Sequence, residues 1–381
     1  MISRASRGPL SEWWWTVDRI SFFLILGLMA IGLMLAVAAS PTVYGGPMSA
    51  GTFVFAFKQV AFAGLAIAIL IGISSLQPSQ IGSLAIVVFG IGLLGSLAVL
   101  FLGTEVHGAR RWLDFGPLAL QPSEFIKPGF AVLTAGLLTS PLTQNYSRPA
   151  VSLAVLLPAV LVLVLQPDIG QTFLLVALWA ALLFFAGLST KWIWVIGAVT
   201  AALVGIAYLV FDHVHHRIQQ FLDPSEAGYQ AGLSLRAFAH GGFFGTGPGA
   251  GTVKYRLPEA HSDYIFAVAG EEFGFILCAI IAALFCVLAV RLMLRSATAR
   301  EPFVQLAGAG LAMVMALQAF INMGVAVSLL PSKGMTLPFI SYGGSSLFAI
   351  SITKGFALGL TRNRPQLMLQ EKTTNWEGAK A

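Results

Sequence analysis

Ten apolar runs occupy most of this chain, at about 20–39, 57–74, 81–102, 124–139, 150–165, 169–187, 192–211, 264–290, 303–328 and 344–360. A helix crosses about 30 Å of hydrocarbon with roughly 20 mostly apolar residues, and it satisfies its own backbone polar groups there. The runs therefore predict an all-α polytopic membrane protein of about ten transmembrane helices. Composition agrees, because only 10% of residues are charged and 57% are hydrophobic, whereas soluble proteins run at about 25% charged. Residues 1–19 and 361–381 read as short solvated tails, and 20–360 as one membrane domain whose large polar loop is 212–263.

Lys and Arg in the short loops set orientation. With the N-terminus inside, twelve basic residues fall on the cytoplasmic side and seven outside: Arg110, Arg111, Arg217, Arg236, Lys254, Arg256 and Lys333. Both termini are then cytoplasmic and the 212–263 loop faces outward. The outer bases run against the charge rule, and an anionic ligand outside accounts for them. The first run has a cleavage-like Ala36-Val37-Ala38, but its length and the nine runs behind it make it an uncleaved span. Cys278 and Cys286 share one span and lie about 12 Å apart along a straight helix, beyond disulfide reach.

The polar residues cluster at three places. In Gly103–Asp114 and Leu120–Pro128, Arg111-Trp112 precedes Ser123-Glu124-Phe125-Ile126-Lys127-Pro128. Ser123 is a candidate N-cap, with Glu124 and Lys127 one turn apart on the same face. That pair either complements the helix dipole or faces a cavity that marks a substrate path. Arg111 beside Trp112 fits a phosphate clamp next to a sugar, or an interfacial ring with a snorkelling base. Asp168, after Pro167, reads as a cap for the helix that follows.

The large loop ends in Leu257-Pro258-Glu259-Ala260-His261-Ser262-Asp263, where a span begins. Asp263 either caps that span or serves as a general base held at the membrane mouth beside Lys254 and Arg256. Glu271 and Glu272 lie about two turns into the span, and Lys354 in the last run is a candidate partner. The glycine-dense stretch 241–251 lacks the strand and helix of a nucleotide-binding loop, and reads as a close-packed turn lying on the membrane. His213, His215 and His216 have metal-like spacing but no Asp, Glu or Cys ligands placed around them. Between the last two runs, the Pro- and Gly-rich stretch 330–346 predicts a re-entrant segment, with Lys333, Thr336, Ser341 and Tyr342 forming the floor of a substrate cavity.

Taken in order, Arg111-Trp112 with Gln121–Pro128, Leu257–Asp263 with Gly270-Glu271-Glu272, and Pro338–Ser346 resemble the SEDS family of bacterial cell-wall polymerases over nearly the whole chain. Pro258-Glu259-Ala260-His261 and Lys333-Gly334-Met335-Thr336 are similar to its division-type branch rather than the elongation-type one. Ser262 and Gln171 stand where Thr is commoner. The resemblance implies a ten-helix fold and a peptidoglycan glycosyltransferase that polymerises lipid II on the outer face of the bacterial inner membrane, at the division septum. It places the family's essential aspartate on Asp263, and its important residues around the fourth span on Arg111, Trp112, Glu124 and Lys127.

Substrate contacts are expected from Arg217, Arg256, Glu259, His261, Lys333 and Ser341 as well. A divalent cation such as Mg or Mn could share the charge at the leaving diphosphate, although no metal site is defined by the sequence. Expected partners are lipid II and undecaprenyl-diphosphate-linked glycan, an FtsI-like class B penicillin-binding protein, other divisome membrane proteins and membrane lipid, with no nucleic acid. Gly274, Gly308 and Gly310 offer close helix approach to such a partner or serve internal packing. A lipid II flippase and a noncatalytic divisome scaffold are the competing readings, and Asp263 discriminates among them.

Overall fold

In a computed structural model, the described residues are 8–44, 50–106, 109–116, 119–143, 147–188, 229–331 and 334–363, with scattered positions between 191 and 219. Helices occupy nine of the ten expected spans: α2 (Arg19–Tyr44), α3 (Ala50–Ser74), α4 (Pro78–Leu102), α5 (Ser123–Thr139), α6 (Arg148–Leu165), α7 (Ile169–Phe185), α9 (Ile265–Ala297), α10 (Pro302–Ala326) and α11 (Gly344–Leu360). The other, at 192–211, falls for the most part outside the described residues. A short helix, α1 (Pro9–Thr16), precedes these spans, and α8 (Tyr229–Gly241) lies in the large loop. Among the described residues, six helices are long and apolar enough to cross a membrane, with Ile169–Phe185 and Gly344–Leu360 as shorter apolar ones.

The centre of the bundle is α10. Its apolar stretch is 67% buried, against 22–44% for the other five long spans. Close approach of α5 to α4 requires Gly129, where a Cβ would stand 2.6 Å from the Phe89 amide nitrogen. At 33 residues, α9 would extend about 50 Å, well beyond the hydrocarbon, if straight. It breaks at Gly274, whose φ of +73 lies outside the helical region. Thr246 and Gly247 donate backbone bonds to the Glu271 and Glu272 carbonyls, and Phe275 donates to the Gly242 carbonyl. The glycine-dense 241–251 stretch is therefore packed on the break in α9, a correction to the membrane-lying turn. Its glycines are needed because Cβ atoms at Gly241 and Gly245 would run into the α9 backbone.

At one end of the bundle, Asp18 accepts bonds from Arg291 Nε (2.8 Å) and Nη2 (2.7 Å) and from Ser21 Oγ (2.7 Å), with Arg295 at 3.4 Å. Trp13 of α1 donates to Ser74 of α3 at 2.7 Å, and Arg362 after α11 donates to Thr16 at 2.8 Å. Trp13 and Thr16 of α1 thus fasten the ends of α3 and α11, and Asp18, just after α1, fastens α9. The opposite end carries the loops that build the site.

Candidate active site

After α4 the chain makes a small antiparallel sheet, β1 (Thr104–Val106), β2 (Ala109–Asp114) and β3 (Ala119–Leu120), in the order β1-β2-β3. Side chains alternate along a strand. Trp112 sits opposite Thr104 in the β1–β2 pair. Its neighbour Arg111 donates from Nη2 to the Pro167 carbonyl at 2.6 Å and from Nε to the Gln166 carbonyl at 3.3 Å. This ties the sheet to the turn between α6 and α7, where Asp168 caps α7 by accepting from the Gln171 amide at 3.3 Å.

Below the turn runs a buried polar chain. Gln171 Nε2 donates to Glu124 at 2.5 Å, Lys127 donates to Glu124 at 2.8 Å and to Gln318 at 2.8 Å, and Gln318 Nε2 donates to the Thr336 carbonyl at 3.1 Å. Glu124 and Lys127 are both 3% exposed, so the pair is turned into the protein and away from lipid. Ionised groups at such depth persist only when paired and hydrogen-bonded. The predicted N-cap is corrected: Pro122 occupies that position and the Ser123 hydroxyl is buried without a hydrogen-bond partner.

Asp263 closes a tight turn whose backbone is fixed on both sides. Ser262 and Tyr264 amides donate to the Glu259 carbonyl, with Glu259 at φ +55. Asn322 Nδ2 of α10 donates to the Asp263 carbonyl at 2.8 Å and the Met335 carbonyl at 2.6 Å. The Tyr342 amide donates to the His261 carbonyl at 3.0 Å, and Ser341 Oγ donates to the Ser262 carbonyl at 2.5 Å. The segment 334–343 is therefore docked against the Asp263 turn. A Cβ on Gly334 would lie 3.3 Å from Asp263 Oδ2, so the carboxylate rests over that glycine.

Burial pushes the Asp263 carboxyl up to about 7; Glu259 adds to the rise, Arg111 opposes it, and Asp168 and Glu124 raise it further. The same charges place Arg111, Asp168 and Glu124 within the field of Asp263. His261 is held below its usual value by burial, with the Glu259 charge opposing. Its ring meets Phe55 edge-on, and Phe55 stacks on Tyr342 at 4.0 Å. A cavity of about 300 Å³ opens over Tyr255 to His261, including Arg256 and Glu259.

Several expectations are revised by this geometry. Lys254 is fully buried and pairs with Glu272, so it is no free outer cation, and Glu272 takes Lys254 rather than Lys354 as its partner. Lys354 reaches the Leu311 carbonyl at 3.4 Å instead. Glu271 accepts from the Thr252, Val253 and Lys254 amides at 2.7, 2.7 and 2.9 Å. The Ser341 hydroxyl accepts from the Leu337 amide and donates to Ser262, which makes it a clasp between segments rather than a free substrate contact. Gly274, Gly308 and Gly310 pack on Phe243, Ser296 and Leu182 inside the protein. Arg217, Lys333 and the histidines at 213, 215 and 216 lie outside the described residues.

Gln318 and Asn322 belong to no motif singled out in the sequence, yet Gln318 carries the polar chain from Lys127 to the Thr336 carbonyl and Asn322 fixes the Asp263 carbonyl. Amides inside apolar helices were the available signal. Among the described residues, no three His, Cys, Asp or Glu side chains gather as metal ligands.

Residues 19–366 match the FtsW, RodA and SpoVE cell cycle protein model. The chain is 39% identical over 370 residues to the probable peptidoglycan glycosyltransferase FtsW of Caulobacter vibrioides, covering 95% of this chain and 94% of that one. The corresponding protein of Alkalilimnicola ehrlichii is 37% identical, over 91% of this chain and 88% of its own. Among solved structures, a chain of a peptidoglycan synthase complex that coordinates polymerization and crosslinking superposes with a TM-score of 0.74 at 28% identity, covering 91% of this chain and 97% of that one. The rod shape determining protein RodA of Thermus thermophilus gives 0.66 at 27% identity, over 91% and 96% of the two chains. This chain belongs to the FtsW, RodA and SpoVE family of cell cycle proteins.

Proposed function

We infer that this protein is a peptidoglycan glycosyltransferase that polymerises lipid II into glycan strands during septal cell-wall synthesis. Identity to the FtsW relatives over nearly the full chain supports the activity. The observation that carries the chemistry is Asp263, a carboxylate held over Gly334 and raised to about 7, two residues beyond the cavity-lining stretch Tyr255 to His261. A general base works best when its pKa lies near the working pH.

In this reading Asp263 takes the proton of the acceptor sugar's 4-hydroxyl. The oxygen attacks the anomeric carbon of the donor from the face opposite its lipid diphosphate, the bond to that phosphate breaks, and configuration inverts. Negative charge grows on the leaving diphosphate, and Arg111 is the guanidinium whose field reaches Asp263. Glu124 and Lys127 hold the floor of the site by linking α5, α7 and α10. Arg256, Glu259 and His261 line the sugar cavity. Both termini face the cytoplasm and the 212–263 loop faces outward, so the lipid-linked sugar meets Asp263 on the outer surface.

A division-type class B penicillin-binding protein completes the machine by crosslinking the product. The solved neighbour that joins polymerization to crosslinking supports this partnership. The exposed apolar face of α9, with Phe275 60% and Leu294 63% exposed, is available to lipid or to a partner's span. Purified protein with that partner and labelled lipid II is the direct test. Polymer from the unaltered protein and none from Asp263→Asn supports the reading; polymer from both variants overturns the base assignment. Translocation of lipid II without polymer from the unaltered protein selects a flippase instead.

A further inference from the structure

Next to the cavity over Tyr255 to His261 lies a second one of about 250 Å³, lined by Leu233, Arg236, Thr252, Val253 and Arg256. Arg256 borders both. Arg236 and Arg256 are exposed, and among the described residues neither has a carboxylate within ion-pairing distance. Lys127, Lys254, Arg291 and Arg362 are all paired. Two free guanidiniums, one hydroxyl and a wall formed by Leu233 and Val253 suit a ligand with adjacent negative charges beside an aliphatic chain.

Transfer between two lipid-linked sugars requires two diphosphates to be held at once. One leaves the reacting carbon. The other stays attached a disaccharide away from the attacking hydroxyl, and no bond to it changes. The leaving diphosphate needs a cation close to Asp263, and Arg111 is the guanidinium whose charge opposes the rise there, whereas Arg236 and Arg256 line the neighbouring cavity. Their cavity nevertheless shares Arg256 with the one whose lining ends two residues before Asp263.

We propose that Arg236, Arg256 and Thr252 hold the diphosphate of the lipid-linked acceptor, with its sugars running through the cavity over Tyr255 to His261 toward Asp263. This rests on the glycosyltransferase reading. The test uses the full chain with its transpeptidase partner in lipid nanodiscs. Arg236→Gln removes a charge-assisted contact and is expected to raise KM for lipid II on the order of tenfold with kcat within about twofold. Arg236→Lys keeps the charge without the bidentate fork, giving an intermediate KM. Should Arg236→Gln fail to fold, that intermediate value carries the kinetic test.

Lipid II binding is counted separately on the Asp263→Asn protein, where no turnover intervenes. Two molecules bound per chain are expected, falling to one when Arg236→Gln is added. An unchanged KM in both variants, a fall in kcat with KM unchanged, or an unchanged binding count overturns the site. Absence of polymer from the unaltered protein would instead overturn the glycosyltransferase reading and leave the binding count to judge the site.

Discussion

Asp263 and Glu271 stand eight residues apart at the start of one helix, and the protein treats them in opposite ways. Glu271 is fully buried but accepts three backbone amides and contacts His240 at 3.0 Å. Asp263 has its carbonyl fixed by Asn322, while its carboxylate lies over Gly334, where burial raises it and the negative charges of Glu259, Asp168 and Glu124 raise it further. Burial with matched donors keeps a charge quiet, whereas burial among like charges makes it basic. One carboxylate is thus spent on architecture and its neighbour is left ready to accept a proton.

The largest expected effect is on the reactive side. Asp263→Asn should lower polymerisation about 10²–10⁴-fold while lipid II binding persists, as read by polymer length on gels and by a binding assay. In the unaltered protein the rate should climb as pH rises through about 7, because only deprotonated Asp263 can take a proton. A flat profile across that range would separate the base from the carboxyl. Linkage gives the matching stability trend. The folded protein holds this proton above the unfolded value of 3.8, so stability falls as pH rises from there to about 7. Asn cannot pay that ionisation cost, and Asp263→Asn should melt no lower than the unaltered protein at pH 8.

On the architectural side, Lys254→Met strands the buried Glu272 carboxylate and should cost about 3–5 kcal/mol in stability. Lys254→Met with Glu272→Leu should recover much of that loss. Thermal melting of the single and double variants decides it, and equal losses from both would mean that the ion pair is not what the site depends on. Gly274→Ala follows at roughly 1–3 kcal/mol, because φ there is +73 and a Cβ would collide with the Phe243 carbonyl.

An effect of similar size is expected at the far end of the bundle, where Asp18→Asn should cost about 1.5–3 kcal/mol. Burial would raise that carboxyl, but bonds from Arg291 and Ser21 and the charges of Arg295 and Arg291 hold it below 3.8. Its contribution is present above the unfolded value and lost as pH falls through the lowered folded one. Acid should therefore loosen the Asp18 end while it protonates and quiets Asp263. Hydrogen exchange at α1 and α9 across pH 2 to 5 reads this directly.

Apolar length is a local property, which is why helices fill nine of the ten spans named from sequence. The small sheet escaped notice because β1 has three residues and β3 two, too few to show alternation. Asp263 was legible from its place at a span boundary within a recognisable motif. The company it keeps was not. Arg111 could be named as a base, but its bonds to carbonyls 55 and 56 residues away depend on how α4 and α6 pack. Lys354 was the nearest conceivable cation for Glu272 in a list of spans. Only the break in α9 brings Lys254 back over its first turns.

The amides of residues 252–254, at the end of the glycine-dense loop, converge on one anion in the manner of a phosphate-cradling nest. The occupant is the protein's own Glu271, bound to the same chain and so present at a local concentration no dissolved anion can match. A loop that looks like a receptor is therefore permanently liganded from within. Added phosphate or nucleotide should find no vacancy there, and moderate salt should leave the buried contact unscreened. The grip that shapes the path from α8 to Asp263 is thereby insulated from the ionic conditions of the surrounding solution, while the arginines beside it remain open to them.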